Sequence, residues 1–242
     1  MPARRRDSWE MWWSPCSVIG HAGPVTPGIG SLVSPGANRG NWRNTAVIGG
    51  PWESDGALAL GFFEVADIAV ERWKAGHRND ATVVSIIYNY RHGIELALKA
   101  GVRQAAACLR VDGIADTDVQ ADEVDQWMSS THSIAQLVNR LAGLLGQLQL
   151  GPGQQLPVET RDFLSKLHLH DHGGQAFRYS AVKTGPRGAR VLERVRPGEQ
   201  RFDIVAVAEA LRDAGTMVLH GVSGVLGEYS DYQADLRHDA GL

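Results

Sequence analysis

The spacing of apolar residues changes character at about residue 55. Beyond it, Leu58, Phe62, Val65, Ala69 and Trp73 recur every three or four positions. That period predicts a helix over about 56–76, stopped at Gly76. Ile87, Ile94, Leu98 and Val102 carry a second, long helix over about 81–108, with Asn79 or Asp80 as N-cap. Gly93 and Gly101 weaken this helix or admit another helix closely. Residues 109–130 read as a polar connector. Ile134, Leu137, Leu141, Leu144 and Leu148 predict a third helix over about 132–148, capped by Ser130 or Thr131 and ended by Gly151-Pro-Gly153. A fourth covers about 157–168. The period then drops to two in Ala176–Lys183 and Arg190–Val195, around Thr184-Gly-Pro-Arg-Gly188, which predicts a β-hairpin over about 176–195. Ile204, Val207, Leu211, Val218, Leu219 and Leu226 give a last helix over about 202–228, with a break near Gly215 or Gly221.

Residues 1–55 hold no such period. Trp9, Trp12, Trp13, Trp42 and Trp52 sit among Pro15, Pro24, Pro27, Pro35 and Pro51. Proline removes backbone donors and glycine raises the entropy of ordering, so regular structure is not expected there. The expectation is an irregular arm laying some rings on the domain, or else upstream sequence joined by a misassigned start. The predicted fold is mainly α: an up-down helical bundle of four to five helices, with a β-hairpin insertion and an irregular N-terminal arm. Its regions are the arm, 1–55, and a helical domain, 56–242.

Composition narrows the class. Hydrophobic content of 43% and charged content of 21% suit a globular chain able to bury one good core. A net charge of −3 argues against a wholly basic nucleic-acid binder but leaves room for a local basic patch. The hairpin is such a patch: Arg178, Lys183, Arg187, Arg190, Arg194, Arg196 and Arg201 face only Glu193 and Glu199. Cys16 and Cys108 form neither a disulfide framework nor a zinc spacing, which fits a reducing cytosol. No run approaches the roughly 20 apolar residues of a membrane span. Asp7 and Glu10 interrupt any leader after Arg4-Arg5-Arg6. A cytoplasmic protein without membrane contact is expected.

The densest chemistry lies in Tyr88–Ala100. Arg91, His92, Glu95 and Lys99 fall within three turns, at spacings that place them on adjoining parts of one helix surface. Charges beside a packed seam cost desolvation energy unless paired. The group is therefore either a structural ion-pair ladder or the wall of a site.

Other motifs fall away. His168-Leu-His-Asp-His172 converges on an extended strand but not on a helix, and histidines near a helix end suit its dipole, so no metal is expected there. Asp116-Thr-Asp118 is similar to the start of a calcium loop, but Ala121 and Trp127 replace the turn glycine and closing glutamate. Gly28-Ile-Gly30 lacks a third glycine, no phosphate-loop lysine motif is present, and Gly-Val-Ser223-Gly-Val misses a nucleophile elbow. No cofactor is indicated.

Arg-His-Gly-Ile-Glu-Leu-Ala-Leu-Lys-Ala at 91–100 resembles the signature helix of HEPN-type helical domains, which pairs Glu and Lys four apart. His132-Ser-Ile-Ala-Gln-Leu137 is similar to the family's His-Asp-Leu-x-x-Leu helix start, with Ser133 for the usual Asp. Phe177-Arg-Tyr179 resembles its Arg-Tyr-Pro element, with Ser180 for proline. The resemblance covers about residues 58–229. It implies a helical bundle, a homodimer, and RNA cleavage or nucleotide binding in toxin–antitoxin or phage-defence settings. Catalytic members carry Arg, four to six residues, then His in a late helix. This chain departs there: Arg212 lies eight residues before His220, and Arg178 has no His at that offset. Arg72-Trp-Lys-Ala-Gly-His77 fits the count, but in the first helix and running into its stop, as a chance match would.

Metal-independent RNA cleavage needs a base for the 2′-hydroxyl, an acid for the leaving oxygen and a cation for the phosphorane. His92 and His132 are the candidates for acid and base, with His220 a further option; Arg91 and Arg178 are those for holding phosphate. Glu95, Lys99, Tyr179, Lys183, Arg187 and Arg190 are candidate binding residues. The structural alternative is that Glu95 pairs with Lys99 and Arg91, His132 caps its helix, and the hairpin faces the acidic 112–125 segment. The functional alternative is a non-catalytic helical scaffold that senses a nucleotide or a protein partner.

Overall fold

A single 32-residue helix, α2 (Asp80–Val111), organises the chain. The structure, a computed structural model, describes residues 46, 48–185 and 190–241; nearly all of the 1–55 arm and the hairpin tip with Arg187 lie outside the described residues. Asn79 caps α2, its Oδ1 accepting from the Ala81 N–H at 3.0 Å. At 1.5 Å per residue α2 is about 48 Å long, enough to line every layer of the bundle. It packs against α1 (Asp55–Lys74), α4 (Ile134–Gln147), α6 (Ile204–Thr216) and α7 (Ser223–Asp239). α3 (Ala121–Ser130) and α5 (Val158–His170) complete the helices. The hairpin, β1 (Ala181–Thr184) and β2 (Val191–Arg194), is inserted between α5 and α6. The fold is mainly helical with an inserted hairpin, as the periodicity predicts. Among the described residues no helix is long and apolar enough to cross a membrane.

Side chains at both ends of the sequence period meet in one core. Ile94, Leu98 and Val102 of α2, Leu137 and Leu141 of α4, and Val218 are fully buried together. Phe63 of α1 is wedged between two glycines. A Cβ at Gly93 or at Gly215 would fall 2.5 Å from its ring. These glycines serve close approach, not turning, since both lie within helical segments.

Four local expectations change. The 109–130 connector contains a 3-10 turn (Thr117–Val119) and α3. Its acidic residues concealed a short amphipathic helix that buries Val124 and Met128, one turn apart, while Asp122 and Glu123 suit its N-terminal dipole. Neither Ser130 nor Thr131 caps α4; Ser133 does, accepting from the Gln136 N–H at 3.3 Å. The hairpin ladder is shorter than 176–195, because Arg178 and Tyr179 turn back to hydrogen-bond the Gln175 carbonyl. The expected break near Gly215 or Gly221 is a π-helical turn (Met217–Val222), and the rod continues to Asp239 rather than stopping near 228. The polar extension is held by tertiary partners. Tyr229 Oη donates to Asp112 at 2.9 Å, and Gln233 donates to the Cys108 carbonyl at 2.8 Å and to Asp112 at 2.6 Å. Burial, then the Asp112 bond, pushes the Tyr229 phenol up to about 12.

Gly215→Ala places a methyl against the Phe63 ring, and overpacking of this kind costs about 1–3 kcal/mol. Urea unfolding measures it, and Phe63→Leu in the same chain is expected to restore part of the loss. Equal midpoints for wild type and Gly215→Ala would show the wedge to be soft.

Candidate functional site

The site begins as one strip of α2. Tyr88, Arg91, His92, Glu95 and Lys99 are three or four apart and so share adjoining faces. His132, just before α4, and the loop after α5 close over that strip.

Arg91 is buried to 1% exposure, and each of its nitrogens meets a protein oxygen. Nη1 bonds the Glu95 carboxylate. Nη2 donates to the His132 carbonyl at 2.7 Å. Nε lies 2.8 Å from Asp171 Oδ2, close but misaligned, so that pair holds by charge rather than by a directed bond. Asp171 Oδ1 accepts from the Ala176 N–H at 2.9 Å and so fixes the next loop. Gly174 lies against the guanidinium: its φ is +71°, and a Cβ there would be 3.1 Å from Arg91 Nη2. Both the left-handed backbone and the lack of space require glycine.

Glu95 is the ladder's anion. Oε1 faces His132 Nδ1 at 2.9 Å and Lys99 Nζ at 3.0 Å. Burial pushes its carboxyl pKa up, but the His132 bond, the Arg91 charge and the bonds from Lys99 and Arg91 together pull it below the usual glutamate value. A carboxylate only accepts, so His132 Nδ1 carries a proton, and in the neutral ring Nε2 presents its lone pair. His132 itself is half exposed.

Aromatic groups form the neighbouring wall. His92 stacks on Tyr88, with centroids 5.6 Å apart and planes at 7°, and meets Phe62 edge-on at 4.4 Å. Burial lowers the His92 pKa; Arg91, Arg178 and Lys99 lower it too, against the opposing pull of Glu95. The shift favours the neutral ring. The exposed Arg178 guanidinium stands over Tyr88 at 5.9 Å and Tyr179 at 5.7 Å.

A cavity of about 270 Å³ results, lined by Arg91, His92, Glu95, His132 and Arg178 with Tyr88, Gly173 and Gly174. Five sequence candidates thus converge, from three separate segments. Lys99 reaches the cavity only through Glu95. Tyr179 adjoins through Arg178, whereas Lys183 and Arg190 lie out on the hairpin. His220 is exposed within the π turn and does not line the cavity. His132 does not cap α4, since Ser133 does. Among the described residues no ion pair joins the hairpin to 112–125; Asp125 pairs instead with Arg103 at 2.7 Å. Residues that sequence reasoning missed are Asp171, Tyr88 and Gly174. Asp171 lay in the histidine-rich run, where its neighbours drew attention to metal ligation. Among the described residues no three His, Cys, Asp or Glu groups gather as metal ligands. A second depression, about 280 Å³ beside Tyr229 and Tyr232, holds Glu228 but no cation or imidazole.

The arrangement supplies an oriented imidazole, a carboxylate behind it, an exposed cation in the same cavity and an aromatic wall. These suit acid–base work on an anionic, planar ligand. No family model, curated protein or solved structure matches the chain.

Glu95→Gln leaves Arg91 under-compensated in the interior and is expected to cost on the order of 2–3 kcal/mol. Because the folded Glu95 pKa is depressed, its contribution is complete above the ordinary glutamate pKa and is lost as pH falls through the depressed folded value. Urea midpoints recorded from neutral to acid pH should fall for wild type and fall less for Glu95→Gln. An unchanged midpoint on substitution would remove the ladder from the account of stability.

Proposed function

We propose that the protein binds RNA in this cleft and cleaves it by a metal-independent acid–base route. One observation carries the reading: the half-exposed His132 ring is held by Glu95 through Nδ1, and Arg178 and His92 line the same cavity. In this route His132 Nε2 takes the 2′-hydroxyl proton. O2′ then attacks phosphorus, the bond from phosphorus to the 5′-oxygen breaks, and a cyclic phosphate remains. Arg178 faces the charge that gathers on the phosphorane. The leaving oxygen takes a proton from water, with neutral His92 as its hydrogen-bond donor rather than a charged acid. Arg91, buried and fully engaged, acts as framework under this reading, and Tyr88 offers a stacking face to an unpaired base. The HEPN resemblance adds a setting of bacterial defence or toxin action and a homodimer, which light scattering would test; two cysteines without a disulfide framework favour a cytoplasmic location.

A second reading has its own observation. Arg91 and Glu95 spend their charges on each other, on Asp171, on Lys99 and on His132, as a structural ladder does. Under it the cleft holds a nucleotide or a partner's side chain without chemistry.

Incubation of the purified protein with mixed RNA in EDTA separates the two. The catalytic reading expects cleavage that drops at least about 100-fold in His132→Ala while the variant still unfolds cooperatively. His92→Ala is expected to lower the rate less, since a neutral donor is replaceable by water. RNA bound but left intact by wild type would establish the binding module.

A further inference from the structure

The hairpin sorts its side chains by charge. Ala181 pairs with Arg194 and Lys183 with Leu192, so these four share one face. Val182 pairs with Glu193 and Thr184 with Val191 on the other. The only acid of the ladder is therefore on the face opposite Lys183 and Arg194. Arg190, two before Leu192, adjoins the same face, and Tyr179 lies in the turn at the hairpin's base. Among the described residues none of Arg178, Lys183, Arg190 and Arg194 is ion-paired, and all four are exposed. Arg196 differs: it donates to the Ala176 and Tyr179 carbonyls and staples the hairpin's base to the loop that walls the cleft. The cationic face consequently starts where the cleft ends, with Tyr179, half exposed, at the junction.

We propose that this face is a track for the backbone of a single nucleic-acid strand, leading into or out of the cleft. The inference rests on the RNA reading of that cleft and assigns it a second contact region. Successive same-face positions on a strand are about 6.8 Å apart, on the order of the phosphate spacing of an unstacked chain. A strand four residues long offers cations to two or three phosphates only; Leu192 gives apolar contact on the same face, and Tyr179 at the hairpin's base gives a stacking ring. An acidic protein surface would satisfy the charges but leaves those two contacts without purpose.

The test is binding of a labelled twelve-residue oligo-deoxythymidine, which lacks the 2′-hydroxyl and so cannot be cleaved by the route above. Each phosphate contact to a single strand contributes about 0.7 to the slope of log affinity against log salt. Lys183→Gln with Arg194→Gln is expected to flatten the slope by about 1.4 and to weaken binding about 25-fold near 0.1 M salt. Both residues are exposed, and an unchanged melting curve confirms folding. An unaltered slope, no binding by wild type, or displacement of the strand by poly-glutamate at equal charge concentration would each overturn the track. The outcomes stay separable from the catalytic reading. Loss of RNA cleavage in His132→Ala with an unaltered salt slope in the hairpin variant sinks the track alone. The flattened slope with RNA left intact by wild type sinks the cleavage step alone.

Discussion

Burial of one guanidinium sets the geometry of the site. Arg91 lies in the interior, where an unpaired charge is prohibitively costly, so each surrounding segment must bring it an oxygen. Glu95 comes from its own helix, the His132 carbonyl from the start of α4, and Asp171 from the end of α5. These are different parts of the chain, and the arginine fixes their separation. It orders the loop through Asp171 and the helix start through a main-chain oxygen. The cavity is the space left beside that junction. Packing alone would not define its position, because apolar contacts tolerate sliding that an array of charged contacts does not.

The ladder also determines what His132 presents. The His132 bond, the Arg91 charge and the bonds from Lys99 and Arg91 keep Glu95 ionised despite its burial, and an ionised Glu95 leaves a neutral His132 one tautomer. The half-exposed imidazole inherits its orientation from groups that solvent hardly reaches. Structural and functional accounts of the polar ladder are therefore compatible: its inner members stabilise, and its outer member meets the ligand.

Much of this was legible in the sequence for physical reasons. The periods of 3.6 and 2 located the long helices and the hairpin, because burial of one face imposes them. The spacing of Arg91, His92, Glu95 and Lys99 placed them together, since helical neighbours need no tertiary knowledge. Asp171 was not legible, because its pairing with Arg91 spans 80 residues of sequence and has no period. α3 was hidden by Asp122, Glu123 and Asp125, whose charges face solvent while only Val124 and Met128 are buried. The extent of α7 was hidden because Tyr229 and Gln233 are polar residues held by Asp112, a partner far away in the chain. Local pattern reports local burial, and polar tertiary bonds leave no mark in it.

The π turn at Met217–Val222 has a consequence for helix phase. A π turn accommodates one more residue than the α-helical path it interrupts, and one residue corresponds to about 100° of rotation. α6 turns Ala208 and Leu211 to the core, while beyond the turn Leu226 and Gln233 point inward. Ala208 and Leu226 are 18 residues apart, five turns at 3.6 residues each, so one inward stripe runs from α6 through the turn to Gln233. The wider turn buries Val218, Leu219 and Val222 together without breaking that stripe. An insertion or deletion in this stretch would be felt less where it occurs than at the far end of α7, whose inward face would change altogether.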